Sequence, residues 1–339
     1  MPTHAVPEPS RGPKVELHLH LDCSLTRSAL ARLGQPMDEA SFHARFSAPE
    51  RCSALIEYLR TIAPSCAILQ TAPALSVATE ELVLALHRDQ VIHAEIRFAP
   101  QTHMESGLSL DEVMAAVTEG LEAGRAATGM SLGLILCALR DHPATANRAV
   151  IDLAHRWRDR GVVGVDLAGD EAGHVAAPQR AVFDRAHELG LNVTAHAGEA
   201  AGPASLAEVI DLLAPARIGH GVRAIESEAI MDRIKAAGLH LEICPSSNIQ
   251  VGVFADLALH PIDRLSRRGI SLSVNTDART VAPISLALEY DRLAQCFGWD
   301  RGEFLAHNLE AARHAFLPIP AREALAARLV QDWRAAPVS

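Results

Sequence analysis

The sequence has almost no lysine. Lys14 and Lys235 are the only two, and arginine supplies the rest of the positive charge. Any chemistry that needs a lysine at a particular strand end can therefore be tested by position alone. Paired cysteines are also missing. Cys23, Cys52, Cys66, Cys137, Cys244 and Cys296 are scattered without a C-x-x-C pair, which suits reduced thiols in a cytoplasmic protein better than a disulfide framework. No apolar run approaches the roughly 20 residues needed to span a bilayer. The N-terminus, with Pro2, Pro7, Pro9 and Pro13, lacks the apolar core of a secretion signal, and residues 1–13 read as a flexible lead-in. An excess of positive charge is lacking as well. The net charge of -10 at pH 7 argues against a nucleic-acid backbone or an anionic membrane as partner. A small molecule is the expected partner, with a homo-oligomer left open.

What is present is material for one large core: 339 residues, 49% hydrophobic and 21% charged. That length exceeds the usual single domain, the main exception being the α/β barrel. Short β-branched or leucine-rich runs at 15–20, 92–98, 131–138, 162–167, 191–196, 216–219, 239–244 and 270–275 read as strands. Helix-length stretches at 73–90, 110–128, 144–159, 178–189, 204–213 and 225–237 lie between them. Ser109-Leu110-Asp111-Glu112 opens one of these with a capping hydroxyl and two first-turn acids. Eight strands alternating with helices predict parallel βα units, and eight closes a (β/α)₈ TIM barrel over 14–339. A doubly wound open sheet is the alternative. It would place a Gly-rich phosphate loop after the first strand, where the chain has Leu21-Asp22-Cys23-Ser24. Residues 25–90 form a long helical insertion after strand one, expected over the C-terminal mouth as a lid that excludes water.

The first strand is the most informative segment. In Val15-Glu16-Leu17-His18-Leu19-His20-Leu21-Asp22 the alternation has period two, so His18 and His20 share a face and Leu17, Leu19 and Leu21 take the other. Two imidazoles side by side can grip a metal ion; an amphipathic edge strand facing solvent is the bland alternative. Polar residues gather at other strand ends too: Asp166 to Glu171, His196 to Glu199, Arg217 to Gly221 and Asn275 to Arg279. In a barrel these ends converge on one ring. Imidazoles and a carboxylate there suit Zn²⁺, with Fe²⁺ or Mn²⁺ as other candidates. His43, His87, His155 and His187 fall on predicted helices and read as surface or satisfied core residues. Many barrel hydrolases with an H-x-H first strand bridge two metals with a carboxylated lysine after strand four. Here that strand reads Val162-Val163-Gly164-Val165-Asp166, so one ion per chain is the simpler reading.

These motifs closely resemble the adenosine deaminase family of metal-dependent barrel hydrolases. The likeness rests on His18-Leu19-His20-Leu21-Asp22, Asp166-Leu167-Ala168-Gly169-Asp170-Glu171, His196-Ala197-Gly198-Glu199, Gly219-His220-Gly221 and Asn275-Thr276-Asp277, in order over roughly residues 14 to 316. Ile92 to Pro100 and Cys244-Pro245-Ser246-Ser247-Asn248 look like its second and seventh strands. H-x-H alone is shared by many amidohydrolases; the combined set is specific to aminopurine deaminases. The resemblance implies that His18, His20, His196 and Asp277 bind one zinc ion. It implies that Asp277 orients the attacking water, that His220 acts as base or electrostatic stabiliser, and that Glu199 protonates purine N1. The Gly169 N–H would meet N3, and Asp22 the 5′-hydroxyl of a ribose. His20 would also border the substrate.

The implied reaction is deamination of adenosine, and of 2′-deoxyadenosine, to the inosine and ammonia. Adenine or another aminopurine nucleoside such as aminodeoxyfutalosine is the alternative. Asp22 favours a nucleoside, because free-base members often carry Glu there. A non-catalytic metal-binding barrel would not need Glu199 and His220. A hydrolase of esters or cyclic amides is disfavoured by the missing strand-four lysine. The remaining acids carry open readings: Asp166 as a supporting acid, Asp170 and Glu171 as solvated loop acids, Glu199 as a helix cap. One departure stands out. The family commonly shows a second acid after Asp277, which ordinarily bonds purine N7, and this chain has Ala278. Arg279 either pairs with an acid such as Asp170 or touches substrate.

Overall fold

The computed structural model describes residues 11–335. Of the lead-in expected over 1–13, residues 1–10 lie outside the described residues; Pro13 accepts a hydrogen bond from Trp333 Nε1 at 2.8 Å. Eight parallel strands follow one another in chain order: β1 (Lys14–His20), β2 (Val91–Phe98), β3 (Ser131–Leu139), β4 (Val162–Ala168), β5 (Asn192–Ala197), β6 (Arg217–His220), β7 (His240–Ile243) and β8 (Leu272–Val274). All eight expected strands are present, with ends displaced by one or two residues. The last strand returns to the first. Leu19 bridges Asp277 in parallel, His20 N–H donates to Asp277 O at 2.7 Å and Asp277 N–H to His18 O at 2.9 Å. Closure as a (β/α)₈ barrel excludes both the open sheet and the solvent-facing edge strand.

Alternation in β1 sorts its side chains as the pattern requires. Leu17, Leu19 and Leu21 are fully buried in the main apolar core, while Glu16 and His18 are equally buried among polar partners. Gly219 on β6 makes room for this arrangement. A Cβ there would lie 2.9 Å from His18 Cε1 and 3.2 Å from the His196 ring, so any larger residue would push against the imidazoles.

The helices 110–128 and 144–157 lie where the sequence placed them. The first carries a full capping box, with Ser109 Oγ accepting from Glu112 N–H and Glu112 accepting from Ser109 N–H. The insertion 25–90 divides in two. Short helices at Arg27–Arg32, Glu39–Phe46, Leu55–Arg60 and Ala63–Ile68 come first, and the latter two supply the residues over the mouth. The final helix, Ala72–Arg88, instead packs in the outer ring against Leu110–Thr128. No single helix among the described residues is long and apolar enough to cross a membrane.

Glu289 anchors the loop after β7. Its buried carboxyl accepts from Ser246 N–H at 3.0 Å, and burial raises its pKa to about 7. The folded state thus keeps a proton that the unfolded chain loses above about pH 4.3. Stability from this group is full at low pH and is lost as pH rises through about 7. Glu289→Gln, which stays neutral, is expected to unfold at higher urea concentration than the wild type at pH 8 but not at pH 4.5. Equal pH slopes in the two proteins would contradict this.

Candidate active site

The ends of β1 and β5 and the loop after β8 bring His18, His20, His196 and Asp277 together, with one ligand atom from each lying within 4.8 Å of all the others. His18 Nε2 is 3.3 Å and His20 Nε2 3.4 Å from Asp277 Oδ1, and His20 Nε2 is 3.3 Å from His196 Nε2. Ligands about 2.0–2.1 Å from a tetrahedral zinc would be about 3.3–3.4 Å apart, so these spacings fit such an ion. Two further observations agree. His18 Nε2 is buried without a hydrogen bond, and two Nε2 atoms face each other where at most one could carry the intervening proton.

The far sides of the His18 and His196 imidazoles are held by carboxylates. His18 Nδ1 donates to Glu242 at 2.9 Å, and His196 Nδ1 to Asp166 at 3.0 Å. Such pairing fixes the tautomer and turns the Nε2 lone pair towards a metal. Arg97 ties the carboxylates together, reaching Asp166 at 2.9 Å and Glu242 at 2.7 Å. Arg217 joins Glu242 to Glu95, both at 2.6 Å. Burial alone would raise the Asp166 pKa, but the His196 and Arg97 charges hold it far below the usual carboxylate range. Asp166 is thus a supporting acid, one of its two open readings. The chain's two arginines here face three carboxylates, and Asp277 adds a fourth. A divalent cation would neutralise the remainder.

Glu199 and His220 flank this cluster, with His220 Nε2 3.6 Å from Glu199 Oε2. Burial, with the Asp277 and Glu171 charges, pushes the Glu199 carboxyl well above the ordinary range, which favours its protonated form. Asp277 goes the other way. Burial opposes its ionisation, but the His18 imidazole, 3.3 Å away, and those of His220 and His20 hold it ionised. His220 and Asp277 both sit at φ 61°, a left-handed conformation rarely adopted by side-chain-bearing residues and concentrated at functional sites.

The His220 tautomer follows from a buried chain of hydrogen bonds. Ile262 N–H donates to His260 Nδ1 at 3.2 Å, so neutral His260 carries its proton on Nε2 and donates to Asn248 Oδ1 at 3.2 Å. The Asn248 amide therefore turns Nδ2 to His220 Nδ1, 3.0 Å away. His220 Nδ1 accepts, and its Nε2 keeps the proton and presents it to the site. Burial and the surrounding histidines hold His220 well below its ordinary pKa, hence neutral.

A cavity of about 460 Å³ opens above these groups, reaching His20, Asp22, Gly169, His196, Glu199, His220 and Asp277. Every expected site residue except the fully buried His18 lines it. Asp22 is buried, with its carboxyl raised to about 6 by that burial. Gly169, at φ 100°, takes a turn conformation that a side chain would strain. Cys23 also lines the cavity, but burial and Asp22 push its thiol well above the range of a nucleophile.

Three expectations need correction or completion. Glu171 is not a solvated loop acid. It is buried and accepts from the backbone N–H groups of Gly198, Glu199, Ala200 and Ala201 at 2.6–3.0 Å and from Ser205 Oγ at 2.6 Å. Glu171 therefore does the capping that was one reading of Glu199, and leaves the Glu199 carboxyl free for the cavity. Arg279 pairs with neither Asp170 nor the cavity; it reaches Asp89 at 2.9 Å and Glu16 at 3.5 Å. Ala278 is fully buried in a small apolar cluster with Cys23, Leu55 and Tyr58. The residues missed from the sequence are Arg97, Glu242, Asn248, His260 and Tyr58. Asn248 lay inside a quoted motif and was within reach.

A family model described as adenosine deaminase matches residues 13–332. An adenosine deaminase of Haemophilus ducreyi is 38% identical over 331 residues, covering 94% of this chain and 96% of that protein. An adenosine deaminase of Enterococcus faecalis is 34% identical over 327 residues, covering 95% and 97%. Among solved structures, an adenine deaminase from Arthrobacter aurescens has a TM-score of 0.86 at 25% identity, covering 96% of this chain and 100% of that one.

Proposed function

This chain belongs to the adenosine deaminase family and is an aminohydrolase acting on a purine amine, and from that premise we propose that it converts adenosine and 2′-deoxyadenosine to the inosines and ammonia with one zinc ion. The observation that carries the reading is a buried Glu199 beside the His18–His20–His196–Asp277 cluster, with Asp22 lining the same cavity. Bound by those four residues, zinc would supply hydroxide at neutral pH, since it lowers the pKa of bound water to about 7.

The protein's own groups then have separate tasks. Ionised Asp277 accepts a hydrogen bond from the attacking water and orients it towards C6. As oxygen adds to C6, electron density moves to N1, where Glu199 delivers its proton. The His220 Nε2–H donates to the developing negative oxygen, so the tautomer favours electrostatic stabilisation over the base role for this residue. Loss of the C6–N bond, with the proton of the new C6 hydroxyl passed to the amine, releases ammonia and leaves the C6 carbonyl of the product. Gly169 N–H meets N3, and Asp22 accepts from the 5′-hydroxyl.

The sugar end of the cavity favours a nucleoside over a nucleotide. Apart from the groups of the metal cluster and Glu199–His220, the cavity is lined by Asp22, Glu105, Asp141 and Asp170 against Arg60 and His174, so a 5′-phosphate would meet like charge. The volume suits a base with its sugar. Ammonia release by the zinc-loaded protein should be at least tenfold more efficient, in kcat/KM, on adenosine or deoxyadenosine than on adenine. Aminodeoxyfutalosine belongs in the same panel. No activity on any adenine-containing compound would sink the reading.

A further inference from the structure

Tyr58 stands on the short helix Leu55–Arg60, over the cavity mouth. The residue is 3% exposed, and its hydroxyl has no hydrogen bond within 3.5 Å; Ser247 is its side-chain partner at longer range. An unpaired buried hydroxyl costs about 1–3 kcal/mol, so a ligand able to accept from it gains that much. The ring packs with Cys23, Leu55 and Ala278. Tyr58 lines the same cavity as Asp277, Cys23 and Glu199, and its packing against Cys23 and Ala278, the residue after Asp277, sets it beside the reacting edge of a bound purine.

The other polar groups near that edge are already committed. Ser247 Oγ donates to Asp277 Oδ2 at 2.6 Å, Thr102 Oγ1 to Ala99 O at 2.8 Å, and the Cys23 thiol faces Asp22 at 3.7 Å. Ala278, directly after Asp277, offers only a methyl group. Among the described residues lining the cavity, the Tyr58 hydroxyl is the one hydroxyl with no hydrogen bond within 3.5 Å.

The order of groups around the barrel identifies its target. Around a purine ring the atoms run N3, N1, C6, N7 and N9. Around the mouth, in strand order, come Gly169 after β4, Glu199 after β5, His220 and Asp277 from β6 to β8, and Asp22 after β1. With Gly169 on N3, Glu199 on N1, Asp277 at C6 and Asp22 at the sugar on N9, the gap between Asp277 and Asp22 belongs to N7. Tyr58 and Cys23 occupy that gap. N7 is an acceptor, and a phenol keeps its proton at neutral pH; burial next to Asp277 pushes this one higher still.

We infer that the Tyr58 hydroxyl donates a hydrogen bond to N7 of the bound purine and is a specificity-determining contact of this site. The inference rests on the purine orientation given above for deamination. It also makes base recognition depend on the lid, since the donor for N7 arrives with the helix that covers the mouth.

The test is binding of purine riboside and 7-deazapurine riboside to the zinc-loaded protein, by calorimetry, for wild type and Tyr58→Phe. Loss of one such hydrogen bond corresponds to about 5- to 150-fold in Kd. The wild type should prefer purine riboside by a factor in that range. Tyr58→Phe should bind the two ligands within about twofold of one another, by weakening on purine riboside alone, with a Tm no lower than that of the wild type. A preference that persists in Tyr58→Phe, no preference in the wild type, or equal weakening on both ligands overturns the inference. Failure of the deaminase reading would be seen separately, as ligand binding without ammonia release from adenosine.

Discussion

Glu199→Gln is expected to lower kcat by about 10²- to 10⁴-fold, the usual contribution of a positioned general acid, while zinc stoichiometry and Tm stay within experimental error of the wild type. Glutamine preserves the shape of the side chain and can still donate an N–H bond to N1. It cannot give up a proton at a cost the reaction can meet. No neighbour replaces it. His220 is neutral and hydrogen-bonded through Asn248, and Asp277 is held ionised by His18 and the nearby imidazoles against the effect of its burial. The substitution should spare KM, because the carboxyl contributes chiefly when charge reaches N1 in the transition state. The pH profile supplies a second readout. Activity of the wild type requires protonated Glu199, so it should decline on the alkaline side as pH passes the raised pKa of this group, and the glutamine variant should lose that limb. Wild-type turnover in Glu199→Gln would show that the N1 proton comes from elsewhere.

The parts of this site that could be read from sequence are those at the ends of strands. His18, His20, His196, Glu199, His220 and Asp277 each follow or end an apolar run, and a barrel brings such ends together whatever the details of its packing. The layer beneath them was hidden for a different reason. Arg97, Glu95, Arg217 and Glu242 lie within β2, β6 and β7 and look like the polar faces of half-exposed strands. Only closure of the barrel turns them inward, where Arg97 meets Glu242 across 145 residues of sequence. Glu171 misled for a similar reason: beside Asp170 it resembles a loop acid, but its partners are 27 to 34 residues further along. Arg279 finds Asp89 from 190 residues away, on the far side of the first strand from Asp170. Tyr58 belongs to a lid whose short helices carry no periodic signal that could aim a side chain at the cavity.

That hidden layer makes Arg97→Met the second large expectation: a loss of about 3–5 kcal/mol in unfolding free energy, the range for breaking a buried ion pair by removing one partner. Zinc affinity should weaken by about 10- to 100-fold, as when groups that orient metal ligands are lost. Arg97 is fully buried and divides its guanidinium between Asp166 and Glu242 while also donating to Leu17 O at 2.6 Å. Methionine fills much of the volume but leaves both carboxylates without their shared cation. Each of those carboxylates also accepts from a metal-binding imidazole, Asp166 from His196 and Glu242 from His18. Two outcomes follow from one excess of negative charge. The imidazoles would gain protons, which opposes metal binding, and Asp166 would be driven to take up a proton in the fold. Arg97→Lys separates charge from geometry: one ammonium restores the sign but cannot hold two carboxylates in a planar fork, so it should recover part of the stability and little of the zinc affinity. Urea unfolding and zinc competition on the three proteins decide the matter. Stability equal to wild type in Arg97→Met would mean that the barrel interior tolerates the unpaired carboxylates, and that the arginine is not what holds the zinc-facing histidines in place.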